Sequence, residues 1–376
     1  MKLKLNRDHL VAGLQQVMSV VGSKSTMPIL GNVLISASRE GIVSLACTNL
    51  DYGIRCQIKA EVEVMGSVTL PVRRLVQIVR ALPESSVSLD VNAACQTKIT
   101  SGGSTFRISG LAASEFPPLP EADAAKFTTL PQGELATMIR SVEFAQSTDE
   151  TRYILNGVYC LFKKGTLTMV ATDGRRLALS TKAFDESGAP DGACILPAKS
   201  VGELARLLSS GTSVKLQFDD RRASFLVATD KDNSGVVGET YLYSKVVEGN
   251  FPNYQQVIPK GDGRTGVKFG REALRNIVHR ASLVCSEKAN SVVLAFGSNQ
   301  IQVTAKSPDF GEVHEQEAVA YDGPELKIAF NPAFLLEPLG ALTKDEITLE
   351  VGNESSPGVF RDGNGFTCVV MPVRLT

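Results

Sequence analysis

The sequence predicts an α+β chain in which one architectural unit is repeated three times. Three observations predict it. Alternating apolar strands recur at Gly41–Thr48 (GIVSLACT), Gly165–Thr172 (GTLTMVAT) and Ser298–Lys306 (SNQIQVTAK). A helix-like stretch precedes each of these strands, and a proline-led, helix-like segment follows it. Each unit then closes on an apolar residue and a proline: Phe116-Pro117, Phe251-Pro252 and Met371-Pro372. The expected domains are residues 1–126, 127–262 and 263–376, each near the common domain size.

The elements follow in order. The N-terminus MKLKLNRDHL alternates charged and apolar residues with no continuous apolar stretch, which reads as a first strand and not as a signal peptide. Asp8–Val21 carries Leu10, Leu14, Val17 and Val21 at helical spacing. Val43, Leu45 and Cys47 then recur at every second residue, the signature of a half-buried strand. The helix-like Leu70–Leu82 (LPVRRLVQIVRAL) follows; proline at a first helical turn lacks only an N–H that would have no intrahelical partner. The second unit repeats the order with Gln132–Phe144, the strand of Leu167, Met169 and Ala171, and Leu196–Leu208. The third does so with Arg271–Val284, the strand of Ile301, Val303 and Ala305, and Asn331–Leu342. Pro71 and Pro197 are 126 residues apart, Phe116 and Phe251 135 apart, so the second unit carries extra residues late. Polar, Gly-bearing Thr229–Gly238 reads as that insertion, in a hairpin loop.

Composition narrows the class. At 376 residues, 43% hydrophobic and 21% charged, the chain can bury ordinary cores, and no apolar run is long enough to span a bilayer. Seven cysteines stand singly at Cys47, Cys56, Cys95, Cys160, Cys194, Cys285 and Cys368, a pattern that fits reduced cytosolic thiols and neither a disulfide frame nor a zinc site. Net charge is −1, but the six helix-like windows 7–21, 71–82, 131–145, 197–208, 270–284 and 331–342 together carry +4 and the remainder −5. Arg73, Arg74, Arg80, Lys199, Arg206, Arg271, Arg275 and Arg280 supply most of the excess. A shared basic bias on equivalent helices suggests one surface that faces phosphates.

Motifs that resemble catalytic signatures fail on context. Gly261–Gly266 matches GxGxxG, but it precedes the strand-like Val267-Lys268-Phe269 where a dinucleotide fold needs a helix, so it reads as a linker. Asp309-Phe310-Gly311 copies a kinase triplet without the remaining kinase motifs and reads as a turn. His9, His279 and His314 form no metal-binding or nucleophile motif, and Asn353-Glu354-Ser355 is a sequon without meaning in a cytosolic protein. No catalytic residue, cofactor or metal is expected.

MPILGNVLI (Met27–Ile35), ATDGRRLA (Ala171–Ala178), FPNY (Phe251–Tyr254) and VVMPVRL (Val369–Leu375) together resemble the bacterial DNA polymerase III β subunits, the sliding clamps. The resemblance runs in order from Met1 to the C-terminus. It implies three clamp domains, each with antiparallel sheets outside and two helices inside, and a head-to-tail dimeric ring around double-stranded DNA without sequence preference. It implies DNA contacts at Lys24, Arg73, Asp149, Tyr153 and Ile154, although Asp149 and Ile154 depart from the polar and aromatic residues of some members. Lys199, on the proline-led helix of the second unit, adds a phosphate contact. A hydrophobic pocket for short peptides of the replicative polymerase, the clamp loader and other clamp-binding-motif proteins is implied at Leu155, Thr172, Gly174, Arg175, Leu177, Pro252, Val257, Val370, Met371, Pro372, Val373, Arg374 and Leu375. Phe106 and Ile108 would meet Leu283 and Val284 of a second copy. The expected function is a cytoplasmic, non-catalytic processivity factor. The competing readings are a monomeric peptide-binding scaffold that never encircles DNA, and a nucleotide-dependent enzyme acting through Gly261–Gly266.

Overall fold

The computed structural model describes residues 1–22, 27–123, 126–184, 191–208, 212–229, 235–261, 263–287 and 289–374. Among them are six α-helices: α1 Arg7–Met18, α2 Val72–Ala81, α3 Gln132–Val142, α4 Ala198–Leu207, α5 Arg271–Ser282 and α6 Pro332–Ala341. Two fall in each sequence unit, as the repeat predicts. By contact the chain forms two compact units, Met1–Ala136 with Glu186–Val246, and Thr137–Asp185 with Val247–Thr376. The middle repeat is therefore shared between them.

In the first unit, one sheet runs Glu61–Val64, Lys2–Asn6, Ser86–Val91, Gln96–Ser101 and Ser104–Ser109. A second, eight-stranded sheet runs Thr128–Pro131, Ser213–Phe218, Arg222–Ala228, Val236–Lys245, Tyr52–Lys59, Ile42–Thr48, Asn32–Ala37 and Gly66–Pro71. All registered pairs are antiparallel, and Val236–Lys245 against Tyr52–Lys59 carries the sheet from the second repeat into the first. Helix α1 starts where the Asn6 side chain accepts the Asp8 and His9 amides, an N-cap. It buries Leu10, Gly13, Leu14 and Val17, and a Cβ on Gly13 would lie 2.7 Å from Leu45 and 2.8 Å from Ile58. The glycine thus lets the helix backbone sit directly on its strands. Helix α2 buries Val72, Leu75, Val76, Ile78 and Val79 and exposes Arg73, Arg74, Gln77 and Arg80, a clean amphipathic split.

The second unit has one sheet through Gly157–Lys163, Thr166–Thr172, Arg176–Ala183, Phe366–Val370, Gly358–Arg361, Glu346–Val351 and Thr265–Gly270. Its other sheet is Gly311–Ala318, Gln300–Ser307, Val292–Gly297 and Leu326–Phe330. Here Arg176–Ala183 pairs with Phe366–Val370, again crossing from one repeat to the next.

Helix boundaries differ from the sequence expectation in ways the backbone explains. Helix α1 stops at Met18, and i→i−3 bonds from Val20 to Val17 (3.4 Å) and Val21 to Met18 (3.1 Å) tighten the chain beyond it. The apolar spacing persists to Val21 because both valines stay buried. Helix α5 likewise ends at Ser282, leaving Leu283 68% exposed. Pro71 and Pro197 end strands and cap α2 and α4 from outside; only Pro332 occupies the first helical turn. Asp309 and Phe310 form a turn into the left-handed Gly311 (φ +96°). Much of the insertion, residues 230–234, lies outside the described residues, but its flanks form a hairpin in which the Thr229 amide donates to Gly238 O at 3.0 Å. Cys47, Cys160 and Cys368 are buried in strands, and burial pushes the Cys368 thiol up to about 12, which leaves it inert at neutral pH.

Candidate peptide pocket and nucleic-acid face

The residues expected to form the pocket lie in the second compact unit. Strands Thr166–Thr172 and Arg176–Ala183 are joined by the turn Asp173-Gly174-Arg175. That turn is fixed from within. Asp173 Oδ1 accepts the Arg175 amide at 2.8 Å and the Arg176 amide at 3.0 Å, an Asx turn. Thr172 Oγ1 donates to Arg176 O at 2.6 Å and accepts the Gly174 amide at 3.1 Å. Gly174 has φ +86°, and a Cβ there would lie 3.1 Å from the Arg152 guanidinium, which donates to Asp173 O at 3.3 Å. The Met371 amide donates to Arg175 O at 3.0 Å, so the tail leaves the sheet beside this turn.

Below the turn sits an apolar cluster of Val170, Leu177, Val359 and Val369, with Tyr159, Leu179, Phe251, Tyr254 and Ile258 packed against it. Leu177 and Val370 are buried core, whereas Val257, Met371 and Val373 are each at least 40% exposed. Pro252 is exposed next to Phe251, whose ring stacks on Tyr159 at 5.1 Å. Leu155 is half-buried and closes a 3-10 turn, Glu150–Leu155. Met371, Pro372, Val373 and Arg374 line a cavity of about 510 Å³, together with Ala329, Glu354 and Ser355. The last three were invisible to sequence reasoning because a bridge between Ala329 and Val373 and a turn capped by Asn353 deliver them. Leu375 lies outside the described residues.

Arg176 follows the exposed Arg175 but points inward, at 9% exposure. Its Nε donates to Asp173 Oδ2 at 3.1 Å, its Nη2 donates to Phe144 O at 2.6 Å, and it pairs with Glu337 of α6. The guanidinium also lies 4.5 Å from the Phe334 ring centre and 5.6 Å from that of Phe144. Burial pulls its pKa below the ordinary arginine value while Asp173 pushes it back up. So many partners keep it charged.

The basic helix face is smaller than charge counting suggests. Arg206 is engaged with Glu203, Gln16 and Ser19. Arg271 donates to Lys344 O and Leu339 O, Arg275 meets Glu272, and Arg280 forks onto Glu315 at 2.8 and 2.6 Å. Charge-assisted pairs of this kind consume the donors that a phosphate would need. Among the described residues Arg74, Arg80 and Lys199 are exposed without an ion pair, and Arg73, also exposed, spends one donor on Val21 O at 2.8 Å. Arg73, Arg74 and Gln77 border a concavity of about 520 Å³ with Val21, Pro28 and Pro71. Lys24 lies outside the described residues.

The remaining DNA candidates are in the second unit. Tyr153 is 58% exposed. Asp149 caps the 3-10 turn, accepting the Thr151 hydroxyl at 2.6 Å and amide at 3.0 Å, and these bonds hold its carboxyl below the usual range. Ile154 packs against the backbone of Gly249, where a Cβ would lie 3.1 Å away. The joint candidates lie at the surface: Phe106 and Ile108 on the sheet-edge strand Ser104–Ser109, Leu283 and Val284 just beyond α5. No group of three or more metal-ligating side chains occurs among the described residues, and no helix there is long and apolar enough to cross a membrane.

Comparison with known proteins completes the picture. Family models of the DNA polymerase III beta subunit match as the N-terminal domain over residues 1–120, the central domain over 129–253 and the C-terminal domain over 255–374. A beta sliding clamp from Chlamydia muridarum is 32% identical over 375 residues, covering 100% of this chain and 99% of its own. The crystal structure of the Bacillus subtilis DNA polymerase sliding clamp superposes with a TM-score of 0.93 at 29% identity, covering 100% of both chains. That of a Bartonella birtlesii clamp bound to griselimycin does so at 0.90 and 32%, again over 100% of both. Three consecutive models of one family thus account for nearly every residue, and the chain belongs to the DNA polymerase III beta subunits, the beta sliding clamps.

Proposed function

We propose that the chain works as a DNA sliding clamp, a non-catalytic processivity factor of the cytoplasm that encircles duplex DNA as a head-to-tail dimer. The observation that carries this reading is that clamp-family domains fill the chain from end to end. A clamp must hold DNA without reading it, and arginine contacts to phosphate are sequence-independent and screened by salt. The exposed Arg73, Arg74 and Arg80 on α2, with Lys199 on α4 and Tyr153, suit that task. Retention then depends on topology, so weak contacts are compatible with a slow off-rate.

Closure is favoured by two strands that stand at sheet edges among the described residues. Ser104–Ser109 carries Phe106, Arg107 and Ile108, and Gly311–Ala318 carries Glu312 and Glu317, with Glu315 already held by Arg280. Opposite charge and free backbone groups suit pairing between two copies, a heterologous contact that closes when the rotation allows. The pocket, with its apolar floor, methionine and tail backbone, suits short peptides from the replicative polymerase, the clamp loader and other clamp-binding-motif proteins. The test is to load the protein onto circular DNA with its loader and then linearise the circle. Rapid release on linearisation is expected; equal retention on circle and line would overturn the reading.

A further inference from the structure

Two adjacent arginines have opposite fates: Arg175 is exposed and Arg176 is buried. We propose that Arg176 is a positioning residue for the peptide pocket, holding the Asp173–Arg175 turn in its binding shape and tying that turn to helix α6 through Glu337. The proposal rests on the pocket reading above.

One carboxylate does two things here. Asp173 Oδ1 holds the amides of Arg175 and Arg176 and so sets the turn, while Asp173 Oδ2 is held by Arg176 Nε at 3.1 Å. The turn in turn anchors the tail, since the Met371 amide donates to Arg175 O at 3.0 Å and Arg176 stands opposite Val370 in the sheet. At its far side the guanidinium is clamped by Glu337, the Phe334 ring and Phe144 O. A planar fork can satisfy these directions at once, whereas a lysine could not. Loosening Glu337 should therefore free Arg176, then Asp173, then both walls of the groove. Because coupling is reciprocal, an occupied pocket should also steady α6.

Glu337→Gln tests this, since Glu337 lies outside the pocket. The probe is a fluorescent peptide bearing the clamp-binding motif of the cell's own replicative polymerase. We expect binding at least about fivefold weaker and a faster-exchanging Met371 amide, while Arg176→Lys falls between the two proteins. Peptide should slow amide exchange in α6 of the wild type and fail to do so in the variant, which a merely stabilising ion pair would not produce. Unchanged peptide affinity and unchanged Met371 exchange in Glu337→Gln, whatever its melting temperature, would overturn the proposal. A wild type that binds no peptide would sink the pocket reading, and Met371 exchange would still decide the positioning role.

Discussion

At the scale of single residues, position in the alternation decides role. Arg175 and Arg176 share a side chain and are neighbours, yet one faces water and the other is buried among two carboxylates and two rings. Sequence shows the alternation but not which face is covered, because the covering elements, Phe144 and α6, are remote from Arg176 in the chain. The arginines of α5 have the same lesson: Arg280 is spent on Glu315 of a strand 35 residues on. That pair makes a pH prediction. Two hydrogen bonds from Arg280 hold the Glu315 carboxyl below the usual glutamate range. A carboxyl whose folded pKa is depressed stabilises the fold above its unfolded value, and that contribution is lost as pH falls through the lowered one. Following the Glu315 carboxyl by NMR should show a midpoint below that of free glutamate, moving up in Arg280→Gln. An identical midpoint in both would refute the pairing in solution.

At the scale of elements, the six helices and the repeated strands were legible because their periods are local and strong. Boundaries were less so, since strand-ending prolines and tight i→i−3 turns depend on backbone geometry that composition does not encode. Legibility of the binding elements was uneven. The exposed arginines of α2 follow directly from its amphipathic spacing, but Ala329, Glu354 and Ser355 reach the tail cavity only through strand pairing and a capped turn. The helices therefore make unequal predictions. Replacing Arg73, Arg74 and Arg80 by alanine should weaken duplex binding and flatten its salt dependence, by up to about 0.9 in the log–log slope for each phosphate no longer neutralised. Replacing Arg271, whose donors are already spent on Lys344 O and Leu339 O, should leave the salt slope nearly unchanged. A log–log plot of affinity against salt distinguishes these; equal slopes for both variants would remove α2 from the DNA face.

At the scale of the whole molecule, repetition was the most readable property, since three strings of one pattern declare three modules before any contact is known. What repetition hides is which surfaces are left for other molecules. Phe106 and Leu283 are apolar and, among the described residues, exposed at 38% and 68%. If they meet in a second copy, Phe106→Arg should convert a dimer into monomers in sedimentation at micromolar concentration while leaving the melting of the monomer intact. A dimer that survives this change would place the joint elsewhere.

The continuous sheets carry one more consequence. Val236–Lys245 hydrogen-bonds to Tyr52–Lys59, and Arg176–Ala183 to Phe366–Val370, so each boundary between repeats is a strand ladder like any other. The repeated segment and the compact unit are consequently not the same length of chain. An excised middle repeat would carry two raw strand edges, open to pairing with any neighbour. The sequence repeats in thirds, while the compact units come in halves.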